Sequence, residues 1–246
     1  MEKGYSLSQI RKCRAMLIQI FYAAEDNGLI VKNPAVRAKK IRKKDKRLAK
    51  AVHVKDSFSE HEIRCLCQEL PHDLIGEGTR AMLGTGMRLQ ELLALTSEDI
   101  AEDGSSVRIN KAIEMVDGQP QLDVPKSELS NRSIPVSVEY RKALLFLRGN
   151  GGPDRIYQPG RQPYYGVGSF RRRYYTALKH ISGVRRLSPH CCRHTYATVL
   201  EKRGVPLQVI AKLMGHASVE TTGVYLHTDM DTLTNAVSVL DEEGRR

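Results

Sequence analysis

Apolar residues recur at helical spacing between Ser6 and Asn27. Leu7, Ile10, Met16, Leu17, Ile20, Phe21 and Ala24 mark one side, and Asn27-Gly28 supplies a stop. The pattern predicts one amphipathic helix, with Ser6 or Ser8 as its cap. A second helix is predicted to open at Ser59, where Glu62 stands three residues on in the arrangement of a capping box. The glycine-punctuated run from Met82 to Met87 leads into a helix with Arg88 in its first turn and Leu89, Leu92, Leu93 and Leu95 on its buried side. Glu91 is placed there to orient Arg88 or its neighbours. From Ser106 to Val136 the period falls to two, in the pairs Val107/Ile109, Ile113/Met115, Leu122/Val124 and Ile134/Val136. This predicts a small antiparallel sheet with a turn at Asp117-Gly118. Helical spacing returns over Glu139 to Leu147. It recurs from Arg171 onward with Leu178 and Ile181 inward, after Ser188-Pro189, and over Val209, Ile210, Leu213 and Met214 up to Gly215. Arg155-Ile156-Tyr157 reads as a short extended piece, Thr221-Thr222 as the start of a short helix carrying Tyr225, and Asp231 to Leu240 as a last amphipathic segment. The fold class is therefore mainly α with a small antiparallel β-sheet, an α+β chain.

A chain of 246 residues, 41% hydrophobic, suffices for a domain plus a smaller module. Its net charge of +11 favours a polyanionic partner such as DNA, although basic charge also serves solubility. The charge is densest from Arg37 to Lys50, with nine Lys or Arg against the single acid Asp45. Such a stretch is too charged to bury and reads as a linker, either a solvated tether or a strap over a DNA backbone. The expected division is residues 1–36 as a helical module, 37–54 as the linker and 55–246 as the main domain. Five cysteines, no apolar leader and no stretch of membrane-spanning length point to a reducing cytoplasm. Cys65, Cys67, Cys191 and Cys192 with His190 and His194 lack zinc-knuckle spacing, since adjacent helical residues point about 100° apart. They read as packing residues, and no metal is expected.

The chemistry-bearing stretch runs from His190 to Tyr225. His190, Arg193, His216 and Tyr225 stand at the ends of short predicted helices, a grouping that suggests phosphate chemistry. His190 and Arg193 share the first turn of their helix, where free N–H groups, the helix dipole and a guanidinium fork would point at one phosphate.

These boxes, His190-x-x-Arg193-His194, then Leu213-Met214-Gly215-His216, then Tyr225 nine residues after His216, resemble those of the tyrosine recombinases, also called phage integrases. The approach to Arg88 resembles the family's first arginine box. Pro125-Lys126-Ser127 through Arg132-Ser133-Ile134-Pro135 is similar to its lysine segment, with Pro125 standing where a threonine is usual. Asn33-Pro34-Ala35 resembles the element that closes the family's smaller DNA-binding domain. Full-length members usually have more helices ahead of it, so the resemblance implies a catalytic domain preceded by a partial core-binding domain, shortened at its N-terminus.

The resemblance implies a site-specific DNA recombinase working through a 3′-phosphotyrosyl intermediate. Tyr225 would be the nucleophile and His190 its base. Arg88, Arg193 and His216 would stabilise the phosphate oxygens, and Lys126 would protonate the leaving 5′ oxygen. No cofactor is needed, because the phosphotyrosyl bond conserves the backbone's energy. Double-stranded DNA is the expected partner and a homo-oligomer, a tetramer on DNA with C-terminal tail exchange, the expected assembly. A type IB topoisomerase-like nicking-closing enzyme and an inactive DNA-binding module on the same scaffold stand as alternatives. Tyr196 is the second candidate nucleophile.

Overall fold

The computed structural model describes residues 7–38, 56–123, 131–151, 155–157, 166–215 and 230–241. The chain divides into two compact units, residues 1–54 and 55–246. No helix among the described residues is long and apolar enough to cross a membrane.

The first unit holds helix α1 (Leu7–Asp26) and the single turn α2 (Pro34–Arg37). Asn33 joins them. Its side chain accepts the Ala35 N–H (3.0 Å) and donates to the Ile18 carbonyl (2.9 Å), while its own N–H reaches Glu25 Oε2 (3.1 Å). Proline follows at the first helical position, where its missing donor costs nothing. The apolar side predicted for α1 is only partly covered, with Met16, Leu17 and Ile20 exposed. One turn of α2 is too short to shield a helix of 20 residues.

The second unit is organised around α4 (Leu74–Thr85), which is buried from Ile75 to its end. Apolar periodicity gives no sign of this helix. Glycines at 76, 78 and 84 each cost roughly 1 kcal/mol in helix propensity relative to alanine. Here they permit close approach. A Cβ at Gly84 would lie 2.3 Å from the Tyr140 ring, and one at Gly78 would lie 2.0 Å from Tyr157 Oη, which donates to the Leu74 carbonyl (2.5 Å). Tyr157 belongs to a turn rather than the predicted extended piece, and that turn is pinned by Ile156 N–H to the Leu95 carbonyl (3.0 Å).

Around α4 pack α6 (Val138–Asn150), α7 (Val167–Leu178) and α8 (His190–Lys202). Helix α5 (Leu89–Ala94) follows α4 after the left-handed Gly86 (φ 66°). Among the described residues the strands form two antiparallel ribbons rather than one sheet. β1 (Ser106–Ile109) pairs with β4 (Arg132–Pro135), and β2 (Ala112–Val116) pairs with β3 (Gln119–Asp123). The second ribbon turns at Asp117-Gly118, both at positive φ (51° and 76°), as a tight two-residue hairpin requires. Helix α9 (Leu207–Met214) buries the four expected apolar residues and stops at left-handed Gly215 (φ 63°). Helix α10 (Met230–Ser238) folds back on α9 and β4 of its own chain, burying Leu233, Val237 and the following Leu240.

Helix α3 (Glu60–Glu69) begins with the predicted capping box. Glu62 Oε2 accepts the Ser59 N–H (2.7 Å), and Ser59 Oγ accepts the Glu62 N–H (3.3 Å). Glu62 also receives Arg185 through its N–H (2.9 Å), Nε (2.8 Å) and Nη2 (2.8 Å), tying α3 to the approach to α8. Arg185, opposed by burial and helped by the cap, holds the Glu62 carboxyl down at about 2 against an ordinary 4.5. The unfolded chain thus takes up this proton first as pH falls, so the stabilisation is complete above about pH 4.5 and disappears towards pH 2. Glu62→Gln is expected to cost on the order of 2 kcal/mol at neutral pH. Paired denaturant titrations from pH 7 to pH 2.5 should show that difference closing.

Candidate active site

Helix α5 starts at Arg88, which is its cap rather than a member of its first turn. The carboxylate of Glu91, three residues on, accepts the Arg88 N–H (2.7 Å) and Arg88 Nη1 (2.8 Å). Arg132 on β4 reaches the same carboxylate with both ends of its fork, Nη1 to Oε1 (3.2 Å) and Nη2 to Oε2 (2.9 Å). Its Nε donates to the Leu213 carbonyl at the end of α9 (2.9 Å). Glu91 is 6% exposed and Arg132 9%, so this is a buried ion pair with a second, half-exposed arginine attached. Burial works to raise the Glu91 pKa. The Arg132 bonds and charge, then those of Arg88, outweigh it and hold the group below its ordinary value, so it stays ionised.

Arg193 lies on α8 at 2% exposure, its guanidinium donating to the Gly86 carbonyl (2.8 Å) and the Met214 carbonyl. Both acceptors stand at helix C-termini, the negative ends of α4 and α9. Burial, then repulsion from Arg88 and Arg132 with partial relief from Glu91, pulls the Arg193 pKa down to about 10. The group remains charged at neutral pH, in a field that an anion would relieve.

His190 is the first residue of α8 and exposed, its ring edge-to-face with His194 at 4.6 Å. The expectation of free N–H groups at this helix end fails in part. The Cys191 N–H donates to Ser188 O (2.8 Å) and the Cys192 N–H to Pro189 O (3.1 Å), closing a tight first turn. Side chains, rather than those two amides, are therefore what this end offers an anion.

Arg88 and Arg193 thus lie near enough to repel one another, and His190 stands three residues before Arg193 on α8. Lys126, His216 and Tyr225 lie outside the described residues. Tyr196 is fully buried, its ring against Gly86, and burial pushes its hydroxyl well above the ordinary tyrosine value. A hydroxyl so placed is a packing group and a poor nucleophile. Among the described residues no group of three His, Cys, Asp or Glu could hold a metal ion.

Sequence reasoning missed Arg132. Its signal was present, since Arg132 and Ile134 alternate onto one strand face and Ile134 is core. A charged residue on a buried face calls for a buried partner, and Glu91 is that partner.

The model of the phage integrase family matches residues 67–232, a span that takes in every one of these side chains. The chain belongs to the phage integrase family. Among its relatives, a XerC-like tyrosine recombinase of Caldanaerobacter subterraneus is 27% identical over 98% of this chain and 68% of its own length. The tyrosine recombinase XerD of Corynebacterium glutamicum is 28% identical over 74% of this chain and 60% of its own length. In fold, the chain resembles the Tn1549 transposon integrase solved with transposon right end DNA, at TM-score 0.72 and 21% identity over 98% of this chain and 81% of that one. It also resembles a lambda integrase dimer on a core site, at TM-score 0.59 and 18% identity over 86% of this chain and 73% of that one.

Gly86 carries two demands at once, a left-handed backbone and a carbonyl aimed at Arg193. A Cβ there would lie 2.4 Å from Tyr196 Cδ1. Gly86→Ala is expected to cost about 2–4 kcal/mol from backbone strain plus overpacking. Denaturant midpoints at unchanged slope would measure it.

Proposed function

We propose that this chain cleaves and rejoins double-stranded DNA as a site-specific recombinase, through a 3′-phosphotyrosyl bond made by Tyr225. The observation that carries the reading is the convergence of Arg88 and Arg193 beside one buried carboxylate, within a family match that extends past Tyr225. Three guanidiniums against one carboxylate leave two positive charges. A phosphodiester has one negative charge and its five-coordinate transition state about two, so the arrangement favours the transition state over the ground state.

In the proposed cleavage, the Tyr225 oxygen forms a bond to phosphorus as the bond to the 5′ oxygen breaks. His190 takes the phenolic proton, Lys126 supplies one to the departing 5′ oxygen, and Arg88, Arg193 and His216 hold the non-bridging oxygens. Attack by a 5′-hydroxyl from another duplex reverses these steps and completes strand exchange with no nucleotide cofactor. The solved neighbours bound to DNA support DNA as the partner. The linker from residue 37 to 54 would strap the duplex backbone, and the chain would act in the cytoplasm. Several protomers, a tetramer at full assembly, would share the DNA by exchanging tails. The cis seat of α10, with Leu233, Val237 and Leu240 buried, supports this because the same surfaces can pair between copies.

The test is incubation with nicked duplexes drawn from the flanks of the chain's own gene, followed by denaturing electrophoresis. Wild type should yield a covalent adduct. Tyr225→Phe should bind and yield none, and Arg193→Ala should slow adduct formation by on the order of a hundredfold or more. An undiminished adduct from the Phe variant would remove Tyr225 from the reaction. For the linker, replacing Lys43, Lys44, Lys46 and Arg47 by Gln should flatten the salt dependence of binding, by roughly 0.9 in log–log slope for each phosphate no longer neutralised. An unchanged slope would leave that segment a tether.

A further inference from the structure

We propose that Arg132 is a positioning residue of the reaction, fixing Arg88 through Glu91 and fixing the end of α9, from which the chain passes directly to His216. This inference rests on the reading of Arg88 as a phosphate-binding group. The geometry behind it is a single side chain with three anchored bonds. Two go to the separate oxygens of Glu91, whose carboxylate in turn holds the Arg88 backbone and Nη1, and the third goes to the Leu213 carbonyl.

The planar fork defines both the direction and the distance of its partners, which a flexible ammonium cannot do. α9 is further fixed by the Arg193 bond to Met214, so its last carbonyls are shared between the two buried arginines. Gly215 completes the fit. A Cβ at that position would stand 2.9 Å from Arg132 Nη1, so the turn that leads to His216 is shaped against this guanidinium. With its bonds directed at protein acceptors and little exposed surface, Arg132 acts on the phosphate through its neighbours. A misplacement of Arg88 by a fraction of an ångström is enough to weaken its hold on the transition state.

The experiment is a double-mutant cycle on single-turnover cleavage of the nicked flank duplexes at saturating DNA, alongside duplex Kd and thermal melts. Arg132→Ala should slow cleavage by about a hundredfold with the duplex Kd changed less than about threefold, a rate effect without a binding effect. Combined with Arg88→Ala, it should slow cleavage by less than about tenfold beyond Arg88→Ala alone, since most of its effect runs through Arg88. Arg132→Lys preserves charge and, where the alanine variant fails to fold, carries the same comparison. It should remain far slower than wild type, because one ammonium cannot span both Glu91 oxygens and Leu213. A double variant about a hundredfold slower than Arg88→Ala alone, or wild-type cleavage by Arg132→Lys, would overturn the proposal. Wild-type cleavage by Arg88→Ala would instead remove the parent reading of the site.

Discussion

The polar centre of the second unit depends on one carboxylate. Glu91 lies between Arg132 and Arg88, with Arg193 close enough for its proton affinity to be lowered by both. Burying like charges together is unfavourable unless something opposite in sign is buried with them. Glu91 supplies that, and the carbonyls of Gly86, Leu213 and Met214 supply the remaining acceptors. The result is a site with more positive charge than its own acid can balance.

The same carbonyls explain why the surrounding helices end where they do. α4 and α9 each stop at a glycine in the left-handed region, which turns the last carbonyls towards a guanidinium instead of continuing the helix. Arg80 repeats the arrangement elsewhere, donating to the carbonyls of Cys67 and Leu70 at the end of α3 while paired with Glu77. Helix termini with unsatisfied carbonyls and arginines with more donors than one acid can accept are complementary problems, and this fold solves them together.

The features legible in the sequence were those with local causes. The capping box at Ser59 and Glu62, the Asp117-Gly118 turn, the apolar face of α9 and its glycine stop each arise from residues a few positions apart. α4 was illegible because its glycines argue against a helix, and the reasons for two of them, Tyr157 against Gly78 and Tyr140 against Gly84, lie far away in sequence, while Gly76 meets the Pro71 carbonyl. The single sheet became two ribbons because β1 finds its partner in β4 while β2 and β3 close on each other, and apolar alternation alone does not specify which strand pairs with which. Box spacing picked out Arg88, His190 and Arg193 as candidates. Arg132 was not picked out, because strand alternation marks it only as buried while its partner Glu91 lies 41 positions away. Of the two candidate nucleophiles, Tyr225 and Tyr196, burial decides against Tyr196.

If Glu91 is what makes the buried arginines tolerable, its charge must be worth more than its hydrogen bonds. Equilibrium unfolding of Glu91→Gln at neutral pH measures this directly, since glutamine keeps the shape and an acceptor oxygen while removing the charge. The account predicts a loss of about 3–5 kcal/mol, the usual consequence of leaving a buried ion without its partner. It also predicts partial recovery of that loss when duplex DNA is added. A variant as stable as wild type to within about 0.5 kcal/mol would show that the arginines are accommodated by the helix carbonyls alone, and would contradict it.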